Sequence, residues 1–232
     1  MDQFKISALG VCLVLSACAT PTVIAEAEDP LVLFDGESLD GWRVTAENPD
    51  SFRVEDGAIV AEGPRAHLFY DGEHGTDFSD FELSLKVKTK PGANSGVYFH
   101  TAYQAEDWPA VGLEAQVNAT QYDYRKTGSV YAIADLRVYE DAEEVPALGF
   151  DSNAYVTRAA APHGDDEWFN YVIRVEDGTV TTRVNGELLV RWKQPEDWPD
   201  ATRRLSSGTF GLQAHDPDSK VYYKDIVVTR LD

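Results

Sequence analysis

Three short stretches of the sequence place polar side chains at every second position. The polar positions are Tyr98 and His100 in the first stretch, Glu114, Gln116 and Asn118 in the second, and Gln213 and His215 in the third. Because side chains alternate between the two faces of a strand, each set lies on one face. Amides, imidazoles, a phenol and a lone carboxylate bind sugar hydroxyls or transfer protons. If the three strands are neighbours, they form a ligand-binding face; the alternative is three ordinary solvent-facing strands.

Residues close to these stretches are further candidates for contacts with a ligand. Asn94 lies at a strand start and Tyr131 on a short strand, so both can orient hydroxyls. Trp108 stands beside Pro109 in a loop, where it can stack on a sugar ring, whereas Trp42 is expected in the core. The sequence has no HExxH, Cys–His cluster, P-loop or GxSxG motif, which argues against zinc peptidases, nucleotide-binding enzymes and α/β-hydrolases.

The elements that must position these residues are predominantly strands. Residues 52–55 and 58–60 flank an Asp-Gly turn, and residues 81–88 alternate strictly between apolar and polar. Near the C-terminus, three apolar runs are separated by Asp177-Gly178 and Asn185-Gly186, and residues 221–231 form a closing strand. No long segment has a helical period. The pattern predicts an all-β protein, a jelly-roll β-sandwich of a single domain, with loops at 118–127 and 140–167.

The chain carries a formal net charge of −20. Such an acidic surface argues against nucleic acid and anionic lipid headgroups as partners, because both repel it. It favours neutral or cationic ligands, or a metal ion. The alternative is that the charge serves only solubility.

The first residues are typical of a bacterial lipoprotein signal. An apolar run of about ten residues ends in Leu15-Ser16-Ala17-Cys18, which matches a lipobox. We therefore predict a signal peptide at residues 1–17, acylation of Cys18, a flexible tether at residues 18–29 and the folded domain at residues 30–232. Acyl chains would anchor the protein to the lipid bilayer of the cell envelope, and Ala19 favours the outer membrane, facing the periplasm. The alternative is ordinary secretion with cleavage near Ala25.

Six ordered blocks of the sequence resemble one protein family, the 3-keto-disaccharide hydrolase domain family. The blocks are 33–42 (LFDGESLDGW), 94–101 (NSGVYFHT), 112–117 (GLEAQV), 126–131 (KTGSVY), 185–186 (NG) and 205–216 (LSSGTFGLQAHD). The resemblance implies a concanavalin-like sandwich and action on glycosides whose sugar is already oxidised at C3.

The implied chemistry assigns a role to each candidate residue. A ketone at C3 acidifies the C2 proton, a base removes it, the enolate expels the C1 aglycone, and water then adds. On this basis Glu114 or His100 is the base. His215 is the acid or, together with His100 and Glu114, a ligand of a divalent metal ion. The side chains expected to hold the substrate are Asn94, Tyr98, Trp108, Gln116, Tyr131 and Gln213.

Two other functions are compatible with such a fold. A non-catalytic carbohydrate-binding lipoprotein would use amides and aromatics but needs no proton-transfer group with a shifted pKa. A conventional glycosidase would need a pair of carboxylates, such as an ExDxxE run, and the sequence has none.

Overall fold

The computed structural model describes residues 29–136, 154–156 and 160–231, together with Met1. Apart from Met1 and Asp29, the predicted signal segment, Cys18 and the predicted tether lie outside the described residues, as does much of the predicted loop at 140–167. Within the described ranges, no helix is long and apolar enough to cross a membrane.

Strands dominate the described chain, as the alternating pattern predicts. They are β1 (Leu31–Val32), β2 (Trp42–Val44), β3 (Phe52–Glu55), β4 (Ala58–Glu62), β5 (Ala66–Tyr70), β6 (Phe81–Thr89), β7 (Asn94–Thr101), β8 (Leu113–Asn118), β9 (Ala154–Val156), β10 (Phe169–Glu176), β11 (Thr179–Val184), β12 (Glu187–Lys193), β13 (Thr209–Ala214) and β14 (Lys220–Arg230). One 3₁₀ turn, Pro49–Ser51, precedes β3.

The strands form two antiparallel sheets. The larger sheet has the order β3-β4-β14-β6-β10-β11-β12-β9, with β1 paired to β14, and the smaller has the order β2-β5-β13-β7-β8. Apolar residues of both sheets belong to one hydrophobic core. The two sheets therefore pack as a sandwich, which agrees with the predicted fold class.

Local sequence explains the larger sheet. Side chains of β6 alternate between buried and half-buried along its whole length, and each buried Leu or Phe contributes about 1.5–3 kcal/mol. The three predicted tight turns are present, and Asp56, Asp177 and Asn185 all have positive φ. Such turns match the twist of the strands that they join, which is why Asp-Gly and Asn-Gly predict the hairpins correctly.

The smaller sheet has two different faces. Its inner face packs Val97, Phe99, Ala115 and Leu212 into the core. A buried hydrogen bond of 2.6 Å between Ser95 Oγ and Tyr223 Oη joins the two sheets. The outer face carries the polar residues of β7, β8 and β13, and loops cover it, so these residues are largely buried as well.

Candidate active site

The three strands with alternating polar residues are neighbours. β7 lies between β13 and β8, which is the strand order that the predicted face requires. Tyr98 pairs with Glu114 across β7 and β8, while Gln213 pairs with His67 across β13 and β5. The polar face therefore extends over four adjacent strands.

A pocket of about 320 Å³ opens on this face. Eight of the predicted site residues line it, namely Asn94, Tyr98, Trp108, Glu114, Gln116, Tyr131, Gln213 and His215. The pocket is also lined by Pro109, Gly112, Asp123 and Arg203. Loops between the strands thus turn an open sheet face into a cavity of the size that a small sugar ligand requires.

Glu114 is an ionisable residue of the pocket that two other pocket residues hold in place. Its Oε2 accepts a hydrogen bond of 3.0 Å from Tyr98 Oη, and its Oε1 accepts one of 3.2 Å from Gln213 Nε2. Burial raises the pKa of Glu114 to about 7, although the bonds from Tyr98 and Gln213 and the positive charge of Arg203 oppose the increase. A carboxyl group with this pKa exchanges protons readily near neutral pH.

Amide groups beside Glu114 retain free hydrogen-bonding capacity. Gln116 Nε2 donates to Asn94 Oδ1 over 2.6 Å, which fixes both side chains. Within the described part of the chain, Gln116 Oε1, Gln213 Oε1 and both ring nitrogens of His67 are buried without a hydrogen-bond partner. Buried polar atoms are normally paired, so this concentration on one face points to a ligand that pairs them.

His215 is held at the edge of the pocket by a chain of hydrogen bonds. Its Nδ1 lies 2.7 Å from Asp216 Oδ2, which also accepts a bond of 3.0 Å from Ser219 Oγ. Ser219 Oγ in turn accepts a bond of 2.8 Å from the backbone N–H of Asn94. A carboxylate on Nδ1 orients an imidazole and fixes its tautomer, as directed proton transfer requires.

The structure corrects the expected position of His100. The pairing of β7 with β13 shifts between Thr209 and Gly211, and His100 has φ 51°, so a bulge interrupts the alternation after Tyr98. The His100 ring packs 5.6 Å from that of Phe81. Its Nε2 lies 2.8 Å from Ser79 O, and its Nδ1 accepts a bond of 3.1 Å from Ser206 N–H. His100 therefore does not share the pocket with Glu114, and the geometry does not support it as the base.

The same displacement separates the three predicted metal ligands. Among the described residues, no group of three or more His, Cys, Asp and Glu side chains is arranged to hold a metal ion. His100, Glu114 and His215 thus do not form the cluster that a shared ion would require.

Three residues of this region were missed by the sequence analysis. Arg203 and Asp123 reach the pocket from loops, and nothing in their local sequence marks them. His67 stands between Ala66 and Leu68 of β5, and the next position on its face, Phe69, is apolar, so β5 lacks the repeated polar positions that identified Gln213.

The sequence model of the 3-keto-alpha-glucoside-1,2-lyase-like domain matches residues 29–229. A protein named 3-keto-disaccharide hydrolase from Bacteroides thetaiotaomicron is 26% identical over 239 residues, covering 89% of this chain and 80% of its own length.

Solved structures with low sequence identity share the fold. A candidate glycosyl hydrolase from Parabacteroides distasonis superposes with a TM-score of 0.63 and 23% identity, over 88% of this chain and 94% of its own. A carbohydrate-binding module from Bacillus subtilis superposes with a TM-score of 0.54 and 12% sequence identity, over 83% of this chain and 97% of its own. The predicted concanavalin-like sandwich is therefore confirmed.

Proposed function

The chain belongs to the 3-keto-alpha-glucoside-1,2-lyase-like domain family, and we propose that it cleaves glycosides oxidised at C3 of the sugar. The name of the Bacteroides thetaiotaomicron relative supports a 3-keto-disaccharide as the substrate class. The observation that carries the proposal is the position of the Glu114 carboxyl group, which Tyr98 and Gln213 hold inside a pocket where burial raises its pKa.

This observation favours an enzyme over a carbohydrate-binding protein. A binding site gains nothing from a carboxyl group whose burial opposes its charged form, because ionisation of that group costs the free protein stability. A general base does gain, since its basic form is both populated and reactive at neutral pH.

In the proposed reaction Glu114 removes the proton from C2, next to the C3 ketone. The electron pair of the C2–H bond forms the enolate, and its collapse makes the C1–C2 double bond as the C1–O bond breaks. The aglycone leaves with the electron pair of the broken C1–O bond and takes a proton from His215. Addition of water to the double bond then gives the 3-keto sugar, so the net reaction is hydrolysis.

The remaining pocket residues orient the sugar and stabilise charge. Arg203 supplies a positive charge close to Glu114, which stabilises a developing enolate as well as the carboxylate. The free carbonyl oxygens of Gln116 and Gln213 accept hydrogen bonds from sugar hydroxyls, and Asn94 holds Gln116 in place. Trp108 is 40% exposed and offers its indole for stacking on the ring.

The test is incubation of the purified protein with 3-keto-glucosides, with release of the aglycone as the readout. We expect release from the 3-keto compound and none from the parent glucoside, whose C2 proton is not acidic. Parallel reactions with and without a chelator show whether a divalent metal ion takes part.

The C2 proton provides a sharper readout. A substrate deuterated at C2 should show a primary kinetic isotope effect, because the proposed mechanism breaks that bond. Conventional glycosidases leave the C2–H bond intact. Binding of the 3-keto-glucoside without release of any aglycone would instead identify a carbohydrate-binding protein.

We also propose that the domain is tethered to the cell envelope through an acylated Cys18. The support is the apolar run that ends in Leu15-Ser16-Ala17-Cys18. Metabolic labelling with a radioactive fatty acid should mark the protein but not its Cys18→Ala variant. Labelling that persists in the variant would disprove the anchor.

A further inference from the structure

His67 belongs to the polar face, but the proposed reaction does not use it. Its side chain is fully buried on β5, opposite Gln213. Neither ring nitrogen has a hydrogen-bond partner within the described part of the chain. Each unpaired buried polar atom costs about 1–3 kcal/mol, so the free protein retains an unfavourable arrangement at this position.

Two aromatic residues of the pocket enclose the His67 ring. The ring of Tyr98, whose hydroxyl binds Glu114, lies edge-on with a centroid separation of 5.4 Å. The indole of Trp108 lies edge-on at 5.6 Å. Since Tyr98, Trp108 and the facing Gln213 all line the pocket, His67 lies directly behind the pocket wall.

Besides the buried His67 ring, the contacts that hold Trp108 in place lie near the surface. The Arg65 guanidinium stacks 5.3 Å from the indole centroid, and its Nη1 binds Asp107 Oδ1 over 2.7 Å. Exposed ion pairs of this kind contribute about 0–1 kcal/mol each. The His215 ring, 5.3 Å away, is the other aromatic neighbour of Trp108 within the pocket. The surface contacts of the indole therefore oppose its displacement only weakly.

We propose that His67 is a substrate-binding residue of an inner subsite, which Trp108 covers in the free protein and uncovers when its indole moves to stack on a bound sugar. The inference rests on the proposed function, because the ligand is a hydroxyl group of that sugar. Burial lowers the pKa of His67 to about 4, so its imidazole is neutral at pH 7. A neutral imidazole has one donor and one acceptor nitrogen, which suits an uncharged hydroxyl group.

The first test replaces His67 by Phe, which keeps the ring packing against Tyr98 and Trp108 but removes both nitrogens. Substrate affinity should fall, with KM for the 3-keto-glycoside rising about tenfold or more, as expected when a buried hydrogen bond to substrate is lost. The Tm should stay the same or rise, because the unpaired nitrogens are gone. His67→Asn, which retains a donor and an acceptor, should recover part of the affinity. An unchanged KM in His67→Phe would overturn the proposal.

The second test observes His67 directly. The chain has five His residues, so spectra of ¹⁵N-histidine-labelled protein are simple, and the His67 signals are those missing in His67→Phe. Titration of Glu114→Gln protein with a 3-keto-glycoside should shift both ring nitrogens of His67. Calorimetry on the same sample measures binding independently. Binding with unshifted His67 signals would overturn the role of His67 alone, whereas no binding to the wild-type protein would overturn the proposed function with it.

Discussion

Gly96 lies beneath the carboxyl group of Glu114. It occupies β7 between Ser95 and Val97, and a Cβ atom at this position would come within 2.7 Å of Glu114 Cγ and closer still to Oε1. The absence of a side chain on one strand therefore creates the space in which the carboxyl group of the next strand meets Gln213.

Gly96→Ala should abolish cleavage while the protein remains folded. The added methyl group overlaps the carboxyl group, which must turn away from Tyr98 and Gln213 and lose its position over the substrate. We expect activity to fall about 10²-fold or more, as for loss of a general base. Gly164→Ala is the matched control, since its Cβ would meet only ordinary contacts of 3.6 Å or longer. Full activity in Gly96→Ala would show that the position of the carboxyl group is not critical.

The pH dependence of kcat/KM should follow the ionisation of Glu114. Burial raises the pKa of this group to about 7, and the base must be deprotonated to act. Activity should therefore fall as the pH decreases through about 7, with tenfold loss for each further unit. Glu114→Gln should lower activity by about 10²–10⁴-fold and remove this acidic limb from whatever activity remains. An acidic limb near pH 4.5 in the wild-type protein would contradict the assignment.

Glu114 should also destabilise the folded protein at alkaline pH. A folded-state pKa of about 7, against 4.5 as the ordinary value, means that the folded state binds the proton more tightly. Stability therefore falls as the pH rises from about 4.5 to 7, by on the order of 3 kcal/mol for this shift. Gln has no charge to bury, so Glu114→Gln should be more stable than the wild type at pH 8 by several degrees in Tm and nearly equal to it at pH 4. A Tm difference that is the same at both pH values would contradict the buried ionisation.

Much of the sandwich and its polar face could be predicted because both depend on local patterns. The alternation in residues 81–88 and the Asp-Gly and Asn-Gly turns predict strands and hairpins directly, since side-chain period and turn geometry are local properties. The polar positions of β7, β8 and β13 predict the face for the same reason. The sequence does not show that these three strands are neighbours, so that part of the prediction is an assumption.

The positions of His100 and Arg203 could not be predicted from local sequence patterns. His100 leaves the face because a bulge adds one residue to β7 opposite Phe210, and the pairing partner that creates the bulge is more than 100 residues away. Arg203 reaches the pocket from a loop whose path depends on tertiary packing. Neither effect is encoded in a short stretch of sequence, so the pattern predicts a position for His100 that the fold does not adopt.

The His215–Asp216 pair should matter only when the aglycone needs a proton. Asp216→Asn removes the carboxylate that orients the His215 imidazole, so cleavage of a 3-keto-disaccharide, with its basic leaving group, should fall about 10²-fold or more. Cleavage of a nitrophenyl 3-keto-glucoside should change little, because nitrophenolate leaves without protonation. His215→Gln should show the same selectivity. Asp218→Asn, on the same exposed turn, should leave both substrates unaffected, and equal losses on both substrates in Asp216→Asn would exclude His215 as the acid.

Asp123 distinguishes the proposed elimination from conventional glycoside hydrolysis. It is a second carboxylate that lines the pocket, although its Oδ1 is engaged by the backbone N–H of Arg125 over 2.8 Å. Conventional glycosidases require two carboxylates, so that mechanism predicts comparable losses of about 10² or more for Asp123→Asn and Glu114→Gln. Elimination needs only one base, and Asp123→Asn should then retain most of the activity on a 3-keto-glycoside. Kinetic comparison of the two variants on the 3-keto substrate and its parent glycoside decides the matter. If the wild-type protein cleaves the parent glycoside and both variants lose that activity, the two-carboxylate mechanism is correct and the elimination is wrong.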